Sequence, residues 1–488
     1  MALALAAIGA VLVVTCGLLT VRGPALADEY AYLADAKHFA STGSLDTRFY
    51  LAESILAHGH HLKDVHAPGY VLLLGAFMRL FPGDYWTAVA LNVLCYALSA
   101  LLVWDITRAL GRGLRAAWIA AALYLVLPLF LVFVFWAMAE LVLGTAFLLT
   151  VWAALRHGHR AFGAVLAGLL FGLTFLIRES AVFGLPAVLA LLSRSRRAAV
   201  AFLVTAAAFV FLVYLPLSRD RAEGGANLLR PGFSHAFAYD VFVAGELGRF
   251  GEAGRLVMAR AHRNYREITR PEESLAEAAP ERGVLLLYAF LPVWALSGWP
   301  RFSTLERRLL AGLVLGWMAL VAVLFFFYVI VQYSGYRYMM FLIPAFLPWV
   351  ARENGIRDRR VSRSDLVPVG IAVAGLALAA GALTILNPFK VTRERGAEVT
   401  RYVEPYLTGQ PQRVMWARAY DYGLRHYPTE VIVWPPRLRS EFKALEQAVW
   451  FDYVVLPVGS NWAEGRLHYQ RVNGADADAP AWIYRRLK

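Results

Sequence analysis

The stretch PGYVLLLGAFMRLFP, residues 68–82, is apolar enough to enter a membrane and too short to cross one. Its fifteen residues rise about 22 Å as an α-helix, against a hydrocarbon core of about 30 Å. Whether it counts as a span decides on which side of the membrane every later loop falls. The rest of the chain answers through its arginines.

Of 488 residues, 59% are hydrophobic and only 17% charged, where a soluble domain carries about 25%. Apolar runs long enough to span occur at about 2–21, 84–107, 117–134, 136–155, 161–178, 179–193, 198–217, 284–299, 309–331, 336–350 and 366–386. Alternate connections are strongly basic. They hold Arg108, Arg112 and Arg115; Arg156 and Arg160; Arg194, Arg196 and Arg197; Arg301, Arg307 and Arg308; and Arg352, Arg357, Arg359, Arg360 and Arg363. Against Glu306, Glu353, Asp358 and Asp365, these sixteen arginines hold +12 of the net +13. The positive-inside rule places them in the cytoplasm. The basic balance is therefore topological, and nucleic acid is excluded as a partner. Counting 68–82 as a span would send the arginines outside, so it reads as a re-entrant or membrane-surface helix.

The expected fold is an all-α polytopic membrane protein of about eleven spans, over residues 1–386. The N-terminus is cytoplasmic and the C-terminus extracytoplasmic. Three large pieces then face outward: loop 22–83, loop 218–283, with ten arginines against ten acids, and the tail 387–488. Lys390, Arg393 and Arg395 run against the charge rule just outside the last span. The tail reads as a small α/β domain, with strands at RVMWA, EVIVW and DYVVLPV, a helix at LRSEFKALEQAVW and a terminal hairpin. Neither cysteine, Cys16 nor Cys95, is expected in a disulfide or metal site, since both lie in apolar segments.

Ionisable groups within a bilayer are costly and mark function. On this topology most gather at the outer face. Asp28 and Glu29 follow the first span, Glu140 lies about a turn into the fourth, Arg178 and Glu179 occupy an outer junction, and Arg337 opens the tenth among Tyr333, Tyr336 and Tyr338. Singly, each has a plain structural reading: a helix start, an ion pair, a charged hairpin tip, an aromatic belt with a snorkelling arginine. Together they describe a cavity able to activate a hydroxyl and hold a phosphate. Asp105 is the outlier, near a cytoplasmic end beside Arg108, where an ion pair explains it. In HGHHLKDVHAPGY (58–70), His58, His60 and His61 match no compact zinc motif and are weak candidates for a divalent metal. Lys63 and His66 precede the short helix, where a cation or imidazole meets an anionic head group.

These residues, in this order and topology, resemble the GT-C glycosyltransferases. The closest branch is that of the protein mannosyltransferases and aminoarabinose transferases, glycosyltransferase family 39. The resemblance covers roughly 1–350 and rests on Asp28-Glu29, HAPGYVLLLGAF, Glu140 and YRYMMFLIPAF. It implies a polyprenyl-phosphate sugar as donor, an extracytoplasmic acceptor (lipid, glycan or protein), and a bacterial inner membrane as location. It also implies Asp28 as general base beside Glu29 and inversion at the anomeric carbon. Arg178, Arg337, His66, Lys63, Glu140, Tyr336 and Tyr338 would bind the donor phosphate and substrate. The family's Lys/His-Pro-Pro here reads His66-Ala67-Pro68, and Ala139 stands before Glu140 where the family often has Pro.

A transporter or flippase of lipid-linked sugars is the main alternative, but such proteins carry midplane charge and inverted repeats, neither of which is visible here. An assembly subunit would tolerate neutralisation of Glu140 and Arg337. Ala25-Leu26-Ala27 has the form of a signal-peptidase site, yet no Lys or Arg precedes the apolar run as a signal requires. The acidic pair is therefore read as chemistry, with Asp28 first.

Overall fold

The computed structural model describes residues 27–45, 49–51, 67–81, 85–219, 248–269, 291–327, 335–351, 398, 402–406, 413–416, 430–433, 451–457, 469–472 and 481–486. The helices are α1 (Ala27–Thr42), α2 (Pro68–Leu80), α3 (Tyr85–Ala109), α4 (Leu114–Val126), α5 (Pro128–Val134), α6 (Glu140–His157) and α7 (Ala161–Ile177). They continue with α8 (Leu185–Leu192), α9 (Arg196–Phe209), α10 (Leu215–Arg219), α11 (Phe250–Thr269), α12 (Thr304–Phe327) and α13 (Ile343–Val350). Residues 291–296 form a further short helical stretch. Among the described residues four helical segments, Tyr85–Ala109, Glu140–His157, Arg196–Leu217 and Thr304–Phe327, are long and apolar enough to cross a membrane. Large apolar side chains point outward from them, among them Leu101, Val204, Phe211, Leu212 and Leu315, as lipid-facing surfaces require. The chain is an integral membrane protein. The expected spans 2–21 and 366–386, and the basic residues 390–395, lie outside the described residues.

The stretch 68–82 forms α2, thirteen residues beginning with Pro68 at the first helical turn. At about 20 Å it does not cross a bilayer. It packs on α1: Arg79 donates to the carbonyls of Phe39 and Ala40, 3.0 Å each, at the end of that helix. Tyr32 and Tyr70 meet edge to face. At Gly69 a Cβ would lie 2.6 Å from the Leu176 backbone, so only glycine lets α2 come this close to the end of α7. A second close approach joins α12 to the segment before and within α8. There a Cβ on Gly316 would strike the Phe183 carbonyl, and one on Gly312 would lie 2.5 Å from that of Pro186. The GLVLG spacing presents both glycines on one helix face, as small residues do where membrane helices touch.

Three expected spans differ in form. The run 117–134 is two helices, α4 and α5, broken before Pro128, which lacks the N–H needed to continue. The next span begins at Glu140 rather than at 136. Residues 135–139 are non-helical because α1 and α3 capture their backbone: Tyr85 donates to Phe135 O at 2.6 Å, Asn92 to Trp136 O at 2.5 Å, and Ala137 N donates to Glu29 at 2.9 Å. Glu140 is thus the first residue of its helix, not one turn within it. The span 336–350 is a 3₁₀ turn, Gly335–Met339, followed by α13.

The loops expected in the cytoplasm meet one another. Arg112 pairs with Glu306 at 2.7 Å, and Arg308 donates to Ser193. Asp105 pairs with Arg156 at 2.5 Å and accepts from Trp152, so its partner is Arg156 and not the neighbouring Arg108. One turn apart on a helix, Asp105 and Arg108 are less well placed to join than two facing helix ends.

The tail contributes five strands, β2 (Arg413–Trp416), β3 (Glu430–Val433), β4 (Tyr453–Pro457), β5 (Tyr469–Arg471) and β6 (Ala481–Arg486). A sixth, β1 (Phe49–Leu51), comes from the first loop, and the sheet order is β1-β3-β2-β4-β6-β5. The first four strands pair in parallel, while β4, β6 and β5 pair antiparallel. The strands and the terminal hairpin fall where the alternation predicts them; the expected helix, 438–450, lies outside the described residues. That β1 joins this sheet was not legible in a three-residue segment.

Candidate active site

Four segments bring their polar residues together. α6 starts at Glu140, where the helix N-terminus favours an anion, and that residue is 2% exposed. Arg178 caps α7 in an extended conformation. Its Nη1 donates to Glu140 Oε1 at 2.5 Å. The 3₁₀ turn brings Arg337, whose Nε lies 3.7 Å from the same carboxylate oxygen. Tyr338 lies under both guanidinium groups, 4.2 Å from Arg178 and 5.2 Å from Arg337, and its hydroxyl lies 3.4 Å from Arg337 Nη2. Arg178 and Arg337 are both buried.

The charge of this cluster is informative. One carboxylate and two permanently charged guanidinium groups meet in a buried site. Guanidinium groups suit a phosphate, which they bind through paired hydrogen bonds. Two buried acceptor or donor atoms, Glu140 Oε2 and the Tyr70 hydroxyl, have no hydrogen-bond partner among the described residues. Buried polar groups are ordinarily satisfied, so an unmet pair points to water or a polar ligand.

Glu140, Arg178, Arg337 and Tyr338 are therefore brought together from positions distant in the chain. Glu29 is fully buried and holds the backbone of Ala137, three residues before Glu140. Glu179 follows Arg178 at the junction between helices, as the sequence placed it, and accepts from Tyr214 at 2.6 Å. Asp28 lies in the first turn of α1, next to Glu29; its side chain, and that of Tyr336 in the 3₁₀ turn, lie outside the described residues. So do His58, His60, His61, Lys63 and His66. Among the described residues no group of His, Cys, Asp and Glu side chains could hold a metal ion. Reading by sequence missed Tyr70, Tyr85 and Asn92. A polar Asn within an apolar helix was the available signal for the last.

The short helix, the broken helix ahead of a buried glutamate and the arginine cluster define a class: the chain resembles the GT-C glycosyltransferases in sequence and in fold. In sequence, residues 65–218 match the family model of the dolichyl-phosphate-mannose-protein mannosyltransferases. In fold, the chain is similar to ArnT from Cupriavidus metallidurans bound to undecaprenyl phosphate, with a TM-score of 0.59, 15% identity and 97% of each chain covered. It is also similar to the oligosaccharyltransferase of Archaeoglobus fulgidus tethered with an acceptor peptide, with a TM-score of 0.53, 15% identity, and 100% of this chain and 74% of that chain covered. No curated protein matches the chain by sequence.

Proposed function

We propose that this protein is a membrane glycosyltransferase that moves a sugar from a polyprenyl-phosphate donor to an extracytoplasmic acceptor. The observation that carries this reading is the buried Glu140–Arg178–Arg337–Tyr338 cluster, with its two guanidinium groups. It sits in a fold shared with a structure that holds undecaprenyl phosphate. In the proposed reaction Asp28 accepts the proton of an acceptor hydroxyl. The freed oxygen attacks the anomeric carbon, and the bond from that carbon to the phosphate oxygen breaks with inversion. The departing lipid phosphate carries the charge, and Arg337 and Arg178 stabilise it as it develops. Glu140 keeps the two arginines together, and Glu29 positions the α1 start against residues 135–139. Lys63, His66 and Tyr336 complete donor binding.

The same reading has eleven spans, a cytoplasmic N-terminus and an outer-facing tail, in a bacterial inner membrane. The sheet supports the tail's placement, since β1 of the first loop is one of its strands. Residues 387–488 then form an extracytoplasmic α/β domain that positions the acceptor.

The test is Asp28→Asn in purified protein, assayed with a radiolabelled lipid-linked sugar and checked for folding by thermal melting. Loss of a general base lowers the rate by about 10²–10⁴-fold. Undiminished transfer by a folded variant would remove Asp28 from the mechanism.

A further inference from the structure

Helix α11 belongs to the long loop 218–283 and has no part in the cluster above. Its twenty residues divide into three lengthwise faces. One packs on α12: Ala261 and Asn264 are buried, and Ala253, Val257 and Arg260 are half-buried. The Asn264 amide donates to Phe325 O at 2.6 Å, and Arg260 donates to Phe327 O at 3.4 Å. These are the last carbonyls of a 24-residue apolar helix, so α11 crosses the end of that span. In the chain this helix end is followed by the Gly335–Met339 turn that carries Arg337.

Beside the packed face runs an exposed apolar stripe. Phe250 is 76% exposed, Met258 64% and Tyr265 59%, and Phe326 of α12 extends the stripe at 39%. Next around the helix come exposed Arg255, Arg266 and Arg263, with Glu252 among them paired to Arg249. Large apolar side chains left outside a packed fold need cover. A stripe bordered by arginines, at the mouth of a membrane span, suits only one kind of surface.

We propose that α11 lies flat in the outer membrane interface, its apolar stripe among acyl chains and its exposed arginines against anionic phospholipid head groups. An in-plane helix of this design buries its apolar face to the depth of the head-group boundary and gathers anionic lipid by charge. The helix thereby fixes the height of loop 218–283 over the membrane and surrounds the protein's outer rim with anionic lipid.

The experiment uses the full chain in vesicles, with Cys16 and Cys95 replaced by alanine. A spin label is placed at Met258→Cys or at Ala259→Cys, neighbouring exposed positions on different faces. The label at 258 is expected to collide with dissolved oxygen and resist a water-soluble nickel chelate, and the label at 259 to do the reverse. Equal exposure of both labels to the chelate would place the helix in water and overturn the proposal. A second measurement compares the unmodified chain with Arg255→Glu/Ala259→Glu after incubation in mixed phosphatidylcholine–phosphatidylglycerol vesicles. Mass spectrometry of retained lipid should show a loss of phosphatidylglycerol of roughly fivefold or more, the contribution of the one arginine removed. Unchanged lipid in the variant would refute the head-group contact.

Discussion

Glu140 holds together two cations that would otherwise repel each other in a buried site. Replacing it by glutamine removes the carboxylate that Arg178 pairs with, a change that costs about 3–5 kcal/mol where ion pairs are buried. Glu140→Gln is therefore expected to lower the melting temperature in detergent, and Glu140→Gln/Arg178→Gln to recover part of the loss. Tyr338 offers a finer probe. Tyr338→Phe keeps the ring beneath both guanidinium groups and should change stability little, whereas Tyr338→Ala removes contacts worth about 0.5–2 kcal/mol each. At this scale the sequence was informative. Glu140, Arg178 and Arg337 could be grouped because a costly charge on a consistent side needs a partner. The bond from Tyr214 to Glu179 was not legible, because the two residues are far apart in the chain.

The broken helix ahead of Glu140 is the element on which the cluster depends. Its free carbonyls are taken by Asn92 and Tyr85, side chains of α3. Asn92→Leu would leave those carbonyls unmet in an apolar surrounding, at about 1–3 kcal/mol, and let residues 135–139 shift. The expected result is a lower melting temperature together with reduced transfer, because the start of α6 moves; Tyr85→Phe should do the same more weakly. Gly316→Ala tests the second contact. Its added methyl has no room against the Phe183 carbonyl, so α12 must withdraw from the segment that follows Arg178, and stability should fall by about 1–3 kcal/mol. The break before Glu140 was not legible in advance. Expected spans at 117–134 and 136–155 leave no room for a non-helical stretch over 135–139, which arises from side chains more than forty positions away in the chain. The short helix α2 was legible, because its length alone forbids a crossing.

On the scale of the whole molecule, the arginine loops and the site stand apart. Loops expected in the cytoplasm join through Arg112–Glu306 and Asp105–Arg156, while β1 ties the first outer loop to the tail. Replacing residues 49–51 with a Gly-Ser-Gly tripeptide removes one strand from the parallel edge of the sheet. The helical part should melt as before, whereas limited proteolysis should cut the tail faster. Parity of the arginines sets the expected orientation. The pairing of β1 was not, since three residues carry too little alternation to identify a strand or its partner.

That pairing also sets an order of events. Phe49 lies opposite Val431, about 380 residues further along the chain. During synthesis the first loop is made early and then waits while the intervening helices are made, and contacts this distant are the last to form. Helix α1, which precedes β1 and carries the acidic pair, acquires this tether only once the tail has been made. A chain stalled partway would already hold its apolar helices, but not the anchored first loop.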